Sequence, residues 1–386
     1  MRILFVGDYS NDPRLGSAKV PLKLREEFTT LGHQCEILSR EDLGAWPTSR
    51  HLRELLSPAL ALKAVRRAVR DRGPFDVIDA SSAEGLHIAL MRRLTGFPAA
   101  AVVARSNGSE HLNYRRMVDD HRAGLLRKPV WKRWWHPLAR LSQVEMATRL
   151  ADRAIAINAG DRDFVIRRGW KRGGDIDLIG HGVSSRFAAD VPLIDEPRGE
   201  GILFCGSWCG MKGVDYLARA FSMLITDGYR FPLTILGGSA PEAAIRAYFP
   251  PGAQALLRIV DRVSEEDVMG YYRRHDLLVF PSTYEGFGMV LLEAMSQRLP
   301  VVSTPVGAAG ALVRHGQTGM IVPLRSAVGL AEAIRRMMGD AALRTRLAEA
   351  AYLRVRDLNW TKTAKDTLAT YEKAIRSSRL GWGPSR

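Results

Sequence analysis

Residues 2–38 read RILFVGDYSNDPRLGSAKVPLKLREEFTTLGHQCEIL. The apolar run Arg2–Val6 predicts a strand, and the polar loop after it leads into a helix over Ala18–Leu31. A Gly-His turn then brings the chain to a second strand, Gln34–Leu38. Two strands that are joined through a helix run parallel, because the helix returns the chain to the end of the sheet at which the first strand began. The stretch therefore predicts an α/β fold built on a parallel sheet.

The same pattern restarts after residue 200. Gly201–Cys205 predicts a strand, Gly213–Ile225 a helix and Pro232–Leu236 another strand. The stretch Ala188–Glu200 between the two patterns lacks periodicity and is rich in proline and acidic residues, so we interpret it as the interdomain linker. Two Rossmann-like domains of similar size, facing each other across a cleft, are expected. Further strands are predicted at Val77–Ala80, Ala101–Ala104, Ala154–Ile157, Ile176–Ile179, Leu277–Phe280, Pro300–Ser303 and Gly319–Val322.

Composition fits two soluble domains. The chain has 386 residues, 46% of them hydrophobic, and no apolar run reaches the roughly 18 residues of a membrane helix. Three cysteines are too few for a disulfide framework, which favours a cytoplasmic location. The formal net charge of +15 favours polyanionic or phosphate-bearing partners, but a basic surface without a function is the alternative.

The densest chemical signal lies in Phe280–Thr304, FPSTYEGFGMVLLEAMSQRLPVVST. Gly286–Gly288 is predicted to open a helix that runs to about Arg298. Glycines at a helix start leave backbone N–H groups accessible, and the helix dipole behind them favours an anion such as a diphosphate. Glu285 and Glu293 are eight residues apart, roughly 12 Å along a helix. We therefore expect the two carboxylates to serve different parts of one extended ligand.

This Glu-x7-Glu pattern, followed by PVVSTPVGAAGALVRHGQTGMIVP (300–323), resembles the family-four retaining glycosyltransferases (glycosyl transferases group 1) of the GT-B fold. The resemblance implies that Glu285 lies by the donor sugar and Glu293 on the nucleotide ribose. It also implies that the backbone amides of Gly286, Phe287 and Gly288 lie by the sugar and the phosphate. The alternative is that Glu285 is a loop or cap residue and Glu293 a solvated helix position.

Residues 206–221 (GSWCGMKGVDYLARAF) resemble the family's G-R-x4-K-G element, whose Arg and Lys clasp the donor diphosphate. Lys212 stands at the lysine position, and Ser207 stands where the family usually has arginine, so one cation is missing. The resemblance also implies that Arg262 and Val263 contact the nucleotide base. With a charge-bearing lysine and helix amides at the phosphate, no metal ion and no cofactor are expected.

The N-terminal domain resembles the family more loosely. Gly16 stands where a glycine pair approaches the donor phosphate, with an ordinary turn glycine as the alternative. Asn107 and Glu110 occupy the family's His-Gly-x-Glu pattern, but an asparagine cannot shuttle a proton. A turn held by Asn and Gly is the structural alternative there. His181 lies in a stretch that matches the family's N-G-V-D. The resemblance thus implies that Asn107, Glu110 and His181 face the acceptor, and that Asn107 joins Glu285 and Lys212 in catalysis.

The resemblance further implies three segments: an acceptor-side domain (1–190), a donor-binding domain (191–360) and a C-terminal helix (361–386) returning to the first domain. The implied reaction moves a sugar from a nucleotide-sugar donor, UDP- or GDP-linked, to an acceptor hydroxyl with retention of configuration. The acceptor is a sugar, a lipid-linked molecule or a small molecule, with bacterial surface polysaccharide or glycolipid assembly expected. Glycosylation of a soluble natural product is the alternative.

Two unrelated functions compete with this interpretation. A dinucleotide-dependent oxidoreductase would need G-x-G-x-x-G after the first strand, and the loop GDYSNDPRLGS lacks that spacing. A nucleic-acid-binding protein would explain the charge but would leave Lys212, Glu285 and Glu293 without a role, so no nucleic-acid partner is expected. The Asp161-Arg162-Asp163 triplet is interpreted as a helix cap.

Residues 112–149 hold nine Lys and Arg against three acidic residues, with Trp131, Trp134 and Trp135 among them. This composition suits the headgroup region of an anionic membrane. The same composition is also found at nucleic-acid surfaces. The third alternative is a basic helix whose tryptophans pack on the domain. If the first interpretation holds, the protein is peripheral on the inner face of the plasma membrane.

Overall fold

The computed structural model describes residues 1–9, 16–44, 49–122, 124, 135–194 and 196–380. The chain divides into two compact units. Unit 1 contains Met1–His181 and Trp360–Arg386, and unit 2 contains Gly182–Asn359. The boundaries predicted from the sequence lie at 190–191 and 360–361. The proline-rich stretch that suggested the first boundary falls inside unit 2, and the short helix Ser185–Ala189 precedes it.

Unit 1 alternates strands and helices. Its strands are β1 (Arg2–Val6), β2 (Gln34–Leu38), β3 (Phe75–Ser81), β4 (Ala99–Arg105), β5 (Arg153–Ala156) and β6 (Ile176–Leu178). Its helices are α1 (Gly16–Thr30), α2 (Arg50–Arg72), α3 (Gly85–Thr95), α4 (Glu110–Arg122), α5 (Ser142–Leu150), α6 (Ala159–Arg167) and the last helix of the chain, Trp360–Leu380. A π-helical turn, Pro137–Leu141, precedes α5.

The sheet of unit 1 is parallel throughout, with the strand order β2-β1-β3-β4-β5-β6. Its strands are almost continuously apolar because helices cover both faces. Helices α2, α3 and α5 cover one face, where Ala64, Ile88 and Val102 belong to one hydrophobic cluster. Helix α1 and the last helix pack together on unit 1, with Phe28 edge-on to Tyr371.

Unit 2 repeats the alternation. Its strands are β7 (Ile202–Cys205), β8 (Leu233–Leu236), β9 (Leu257–Val260), β10 (Leu277–Phe280), β11 (Val301–Ser303) and β12 (Met320–Ile321). Its helices are α7 (Ser185–Ala189), α8 (Val214–Thr226), α9 (Glu242–Arg246), α10 (Glu265–Arg274), α11 (Met289–Ser296), α12 (Ala309–Leu312), α13 (Ala327–Gly339) and α14 (Ala341–Val355). The last helix, Trp360–Leu380, is α15.

The sheet of unit 2 is also parallel, in the order β12-β11-β10-β7-β8-β9. Helix α8 shows why this layer forms. Its buried residues Val214, Leu217, Phe221 and Leu224 recur every three or four positions, so they line one side of the helix. That side packs on Ile202 and its neighbours in the core.

The predicted strands are present in both sheets, with ends that shift by one or two residues. The strand β9 was not predicted, because the four residues LRIV contain an arginine and follow a proline-rich turn. The helix predicted from Gly288 to about Arg298 ends at Ser296. Arg298 adopts a positive φ of 50°, a conformation that a helix does not continue through.

Helix α15 returns to unit 1, as the fold prediction required. Its Tyr371 hydroxyl donates a hydrogen bond of 2.5 Å to Asp79 Oδ2 in β3. Arg105 in β4 donates two hydrogen bonds to the same oxygen, at 2.7 and 2.9 Å. All three side chains are buried, and the charge pair holds the pKa of Arg105 above its ordinary value despite burial. An ion pair inside unit 1 therefore ties α15 to two strands.

We expect Arg105→Met to lower the free energy of unfolding by about 3–5 kcal/mol, because it leaves the Asp79 carboxylate buried without a cation. Chemical denaturation, with hydrogen exchange of β3 and β4 as the local readout, measures the effect. The exposed Arg66→Met is the control and should change stability by less than about 0.5 kcal/mol. Equal effects of the two substitutions would contradict the assigned role of Arg105.

Candidate functional site

The site predicted in unit 2 lies where the strand order changes direction. Strands β7, β8 and β9 follow one another to one side, and the chain then crosses to place β10 on the other side of β7. Ligands of parallel sheets usually bind at such a point, beside the loops that leave the two neighbouring strands at their carboxyl ends. These two loops are Gly206–Gly213 and Pro281–Gly288. They carry Lys212 and Glu285.

Lys212 and Glu285 form a direct ion pair. Lys212 Nζ lies 2.5 Å from Glu285 Oε1, and the ammonium also lies 5.9 Å from the centre of the Phe280 ring. Ser282 Oγ donates a second hydrogen bond of 2.8 Å to Glu285 Oε1. The Glu285 residue is 8% exposed, whereas the Lys212 side chain is 20% exposed. The two loops thus bring a fixed carboxylate and a partly accessible cation together.

Backbone contacts hold the same two loops against each other. The backbone N–H of Thr283 donates to the carbonyl of Met211 at 2.8 Å. Gly213 has a φ of +72°, and a Cβ there would lie 2.0 Å from the carbonyl oxygen of Pro281. Only glycine allows this approach. In the K-G pair, Lys212 therefore supplies the charge, and Gly213 is required because the Pro281 backbone leaves no room for a side chain.

The helix that follows Glu285 begins as predicted. Gly288, with a φ of +94°, precedes α11, whose first residue is Met289. The Phe287 carbonyl accepts a hydrogen bond from the backbone N–H of Ala308 at 2.8 Å. The Gly286–Gly288 turn is thus braced by the loop after β11, and it leads directly into the positive end of a helix dipole.

Glu293 lies in the second turn of α11 and is 7% exposed. The Tyr272 hydroxyl donates to Glu293 Oε2 at 3.1 Å, and the same hydroxyl lies 3.8 Å from Cys205 Sγ at the end of β7. Burial is the largest cause that raises the pKa of Tyr272 well above its ordinary value. The neutral phenol is therefore a donor that orients the Glu293 carboxylate.

The other residues predicted on the donor side lie after neighbouring strands of the same sheet. Arg262 follows β9, and its Nη2 donates to Ser239 Oγ in the loop after β8 at 3.1 Å. Val263 comes next and is partly exposed. Ser207 follows β7, and its carbonyl accepts from the N–H of Cys209 at 3.0 Å. Ser207 thus belongs to the Lys212 loop, whereas Arg262 lies in the loop between β9 and α10 and contacts the loop after β8.

The residues predicted in unit 1 are distributed over several elements. Gly16 is the first residue of α1. Asn107 follows β4, and its Nδ2 donates to Ser81 Oγ at the end of β3, 2.6 Å away. Asn107 also lines a small cavity, together with Glu110, Asp161 and Trp170. The asparagine is therefore held between two strand ends, at the edge where ligands of parallel sheets bind.

Glu110 is occupied by protein partners. Its Oε2 accepts from Arg140 Nε at 3.0 Å, and its Oε1 accepts from the Ser82 hydroxyl. Arg140, in the π-helical turn, also donates to Glu84 at 2.9 Å and to Ser57 at 3.0 Å. Ser82 adopts a φ of +57°, which is rare for a residue with a side chain. We therefore assign Glu110 a structural role, in which it holds the turn at Ser82 and the side chain of Arg140.

His181 lies at the end of unit 1 and is 6% exposed. Its ring stacks on Trp360 with the centroids 5.6 Å apart. Burial, and then the charge of Arg105, lowers the pKa of His181 to about 3. The imidazole is neutral and packed, which argues against a direct contact with the acceptor.

Asp161 corrects one minor prediction. The cap of α6 is Asn158, whose side chain accepts from the N–H of Asp161 at 2.8 Å. Asp161 itself lies in the first turn and accepts from Ser106 Oγ at 3.2 Å. Burial raises the pKa of Asp161 to about 6.

The tryptophan-rich stretch lies mostly outside the described residues. Trp131 and Trp134 belong to residues that the structure does not describe, whereas Trp135 is 41% exposed. Within the described ranges, no three His, Cys, Asp or Glu side chains come together in a group that could hold a metal ion. None of the helices in the described part of the chain is long and apolar enough to cross a bilayer.

Comparison with known proteins identifies the part of the chain that carries the Lys212–Glu285 pair. Residues 199–340 match the family described as glycosyl transferases group 1. The chain carries a group 1 glycosyltransferase domain. The chain is 27% identical over 264 residues to a protein of Rhodococcus jostii named D-inositol 3-phosphate glycosyltransferase, a match that covers 64% of this chain and 58% of that relative. A Frankia alni protein of the same name is 25% identical over 397 residues, covering 92% and 93% of the two chains.

Solved structures extend the likeness to the whole fold. Sucrose-phosphate synthase from Thermosynechococcus elongatus has a TM-score of 0.76 at 21% identity and covers 97% of this chain and 99% of its own. Anabaena Alr3699/HepE in complex with UDP-glucose has a TM-score of 0.69 at 16% identity, with 97% and 100% coverage. The chain therefore has the GT-B fold, with its group 1 domain in unit 2.

The group 1 domain contains further side chains that the sequence alone did not single out. Ser282 and Thr304 brace the Glu285 loop, since Thr304 Oγ1 donates to the Ser282 carbonyl at 2.5 Å. Tyr272 orients Glu293. The sequence could have suggested Ser282, because its hydroxyl lies three positions before Glu285 in the same loop. Tyr272 had no such signal, because only the fold brings α10 against α11.

Gly307 offers a test of how tightly the Glu285 loop is packed. Its φ is +56°, and a Cβ there would lie 2.7 Å from the Phe287 carbonyl oxygen and 2.9 Å from Glu285 Cβ. Gly316 has a similar φ of +71° with nothing within 4 Å of its Cβ position. Both substitutions to alanine carry the same kind of backbone strain, but only Gly307→Ala also creates a clash.

We expect Gly307→Ala to lower the free energy of unfolding by about 1–3 kcal/mol more than Gly316→Ala, the usual cost of overpacking. Chemical denaturation of the two variants measures the difference. Equal stability of both variants would show that the loop carrying Glu285 yields without cost.

Proposed function

We propose that this protein is a glycosyltransferase that moves a sugar from a nucleoside diphosphate sugar to an acceptor hydroxyl with retention of anomeric configuration. The observation that carries the proposal is the contact between Lys212 and Glu285 at the point where the strand order of unit 2 reverses. A cation, a carboxylate and the start of α11 meet there, and a sugar diphosphate offers a matching anion and hydroxyls. The match to the Rhodococcus jostii relative spans 58% of that protein's length.

Lys212 and the amides at the start of α11 bind the donor diphosphate in this proposal. Negative charge grows on the leaving nucleoside diphosphate as the bond to the sugar breaks. A fixed ammonium and fixed N–H dipoles stabilise that charge without reorganising, which lowers the barrier. The lysine also keeps part of its surface in contact with solvent, as a group that meets a ligand must.

Glu285 orients the donor sugar through hydrogen bonds to its hydroxyls. Its Oε1 is fixed by Lys212 and Ser282, so the direction of the carboxylate is set before the donor binds. We do not assign it a nucleophilic role. Retention is proposed to follow a front-face route, in which the leaving phosphate assists removal of the proton from the acceptor hydroxyl.

Glu293 is proposed to bind the ribose of the nucleotide, oriented by Tyr272, and Arg262 and Val263 to approach the base. Ser207 and Gly16 are proposed as further donor contacts through a hydroxyl or a backbone N–H. UDP is favoured over GDP as the nucleotide because solved GT-B structures with TM-scores of 0.66–0.69 contain UDP or UDP-glucose. No cofactor and no metal ion take part in the proposed reaction.

Asn107 is proposed to contact the reacting sugar or the acceptor from unit 1. The sequence leaves two acceptor classes: an amphiphile of surface polysaccharide or glycolipid assembly, and a soluble small molecule. The name D-inositol 3-phosphate glycosyltransferase, carried by relatives at 25–31% identity, supports a polyol phosphate among the small-molecule candidates. An acceptor panel that contains both classes, read out by product mass and by the anomeric coupling of the product, distinguishes them.

We expect Lys212→Met and Glu285→Gln each to reduce turnover of a UDP-sugar about 100- to 1,000-fold, the usual cost of losing one group that stabilises transition-state charge. Lys365→Met and Glu332→Gln, at exposed positions, are the matched controls and should retain full turnover. Steady-state kinetics under identical conditions measures all four variants. Turnover near the wild-type value in both site variants would sink the assignment of the site.

Stability must be followed in parallel, because each single variant leaves its partner's charge poorly compensated in a largely buried place. The double variant Lys212→Met/Glu285→Gln removes both charges. It should recover stability that the single variants lose while remaining inactive. Recovery of activity together with stability would show that the pair is structural only.

A chelator gives a separate test of the proposed chemistry. Because protein groups meet the diphosphate charge, turnover should be the same within about twofold after treatment with excess EDTA. A loss that returns on addition of Mg²⁺ or Mn²⁺ would instead place a metal ion at the diphosphate.

A further inference from the structure

The outward side of α2 changes character along its length. The helix buries Ala61, Ala64, Val65 and Ala68 against the sheet. On the opposite side, Leu52, Leu55 and Leu56 are 51%, 38% and 41% exposed. Between residues 61 and 70 the exposed residues are all cationic: Lys63, Arg66, Arg67 and Arg70. The helix thus presents an apolar end and a basic end to solvent.

Two neighbouring segments continue this surface. Gln143 Nε2 donates to the Leu55 carbonyl at 3.0 Å, and Arg93 Nε donates to the Leu150 carbonyl at 2.7 Å, so α2, α3 and α5 lie side by side. We call the outer surface of α2, α3 and residues 135–150 the three-helix face. Its other exposed apolar side chains are Leu90 (39%), Leu94 (70%), Trp135 (41%), Leu138 (73%) and Met146 (43%).

The concentration of apolar side chains on this face is unusual within unit 1. Among the described residues, nine large hydrophobic side chains of unit 1 are exposed, and eight of them belong to the three-helix face. Single exposed leucines scattered over a surface need no explanation, whereas a group of them on one face marks an interaction surface.

The charges on the face select the kind of partner. Exposed cations surround the apolar side chains, with Arg93 and Arg149 joining those of α2. Arg70 pairs with Asp71 at 3.2 Å and Arg149 with Glu145 at 2.8 Å, whereas the described residues place no acid in an ion pair with Lys63, Arg66, Arg67 or Arg93. A second copy of a chain with a net charge of +15 would bring two basic surfaces together and would be repelled. A surface that offers negative charge over an apolar interior fits both components.

We propose that unit 1 docks on an anionic lipid bilayer through the three-helix face. The exposed leucines enter the boundary between headgroups and acyl chains, and the basic half of α2 contacts the phosphates. This surface replaces the segment 112–149 of the sequence prediction in part: it keeps Trp135 and the residues after it, and adds α2 and α3.

The apolar end of the face lies next to the loop that carries Asn107. Arg140, two residues from Leu138, donates to Ser57 in α2 and to Glu110, the first residue of α4, which follows the Asn107 loop directly. Docking would therefore bring the bilayer close to the acceptor side of unit 1. In the part that rests on the proposed function, this favours an acceptor anchored in the bilayer over a soluble one.

Co-sedimentation of the full chain with vesicles tests the docking. The wild type should bind vesicles of phosphatidylcholine containing phosphatidylglycerol at low salt, should not bind pure phosphatidylcholine vesicles, and should be released as salt screens the charges. Lys63→Glu/Arg66→Glu should lower the partition coefficient at least about 30-fold, because each cation near the surface contributes about fivefold. Leu56→Ser/Leu138→Ser should lower it at least about tenfold.

Matched controls lie in unit 2. Arg335→Glu/Arg336→Glu reverses two exposed cations of α13, and Leu353→Ser removes a leucine that is 49% exposed. Both should leave vesicle binding unchanged. Binding that is absent at low salt, or that the face and control variants reduce equally, would overturn the proposal. A wild-type dimer in light scattering that the leucine pair dissociates would show that a second copy covers the face instead.

UDP binding, measured by thermal shift, keeps this proposal separate from the proposed function. The four surface variants should bind UDP as the wild type does. Vesicle binding without any nucleotide binding would reject the donor site and leave the docking surface in place. Nucleotide binding without vesicle binding would do the reverse.

Discussion

Lys212 and Glu285 meet because β7 and β10, the strands that precede their loops, are neighbours in the sheet of unit 2. After β9 the chain of unit 2 crosses to the other edge of β7, so the loops after β7 and β10 leave the sheet beside each other at its carboxyl end. Two segments that are 73 residues apart in sequence come within 2.5 Å at that point. The donor site that we propose depends on this crossover. Tyr272 lies on α10, just before β10, and Glu293 lies on α11, just after the Glu285 loop.

Close backbone contacts limit which residues can occupy the loops that carry Lys212 and Glu285. At Gly213 and Gly307 a side chain would collide with the backbone of the opposing loop, so glycine lets the loops approach each other closely there. Glycine at these sites raises the entropy cost of folding, and the hydrogen bonds from Thr283 and Ala308 offset part of it. A buried carboxylate is held in place by this packing rather than by a large number of polar partners.

The difference between local patterns and contacts across elements explains which parts of the fold and of the site the sequence could predict. The strands of both sheets except β9 followed from short apolar runs, and α8 followed from its buried residues at helical spacing. Lys212 and Glu285 were identified through short patterns that keep their spacing along the chain. Tyr272, Ser282 and Gly307 act across elements, so their roles depend on the three-dimensional arrangement. His181 and Glu110 occupy predicted positions in the sequence, but their surroundings (an indole in one case and Arg140 in the other) are contributed by distant segments.

The net charge shows the same dependence on location. Several arginines are consumed inside the fold: Arg105 holds Asp79 in the core, Arg140 joins Glu84 and Glu110, and Arg153 holds Asp177. The planar guanidinium suits such sites because its five N–H donors have fixed directions and can bind a carboxylate through two of them at once, a geometry that an ammonium does not offer. Among the residues that the structure describes, Lys63, Arg66 and Arg67 of α2 are exposed cations outside such ion pairs, and they share a surface with exposed leucines. A chain charge of +15 therefore becomes informative only after its internal ion pairs have been assigned, because what is left has both a position and an apolar neighbour.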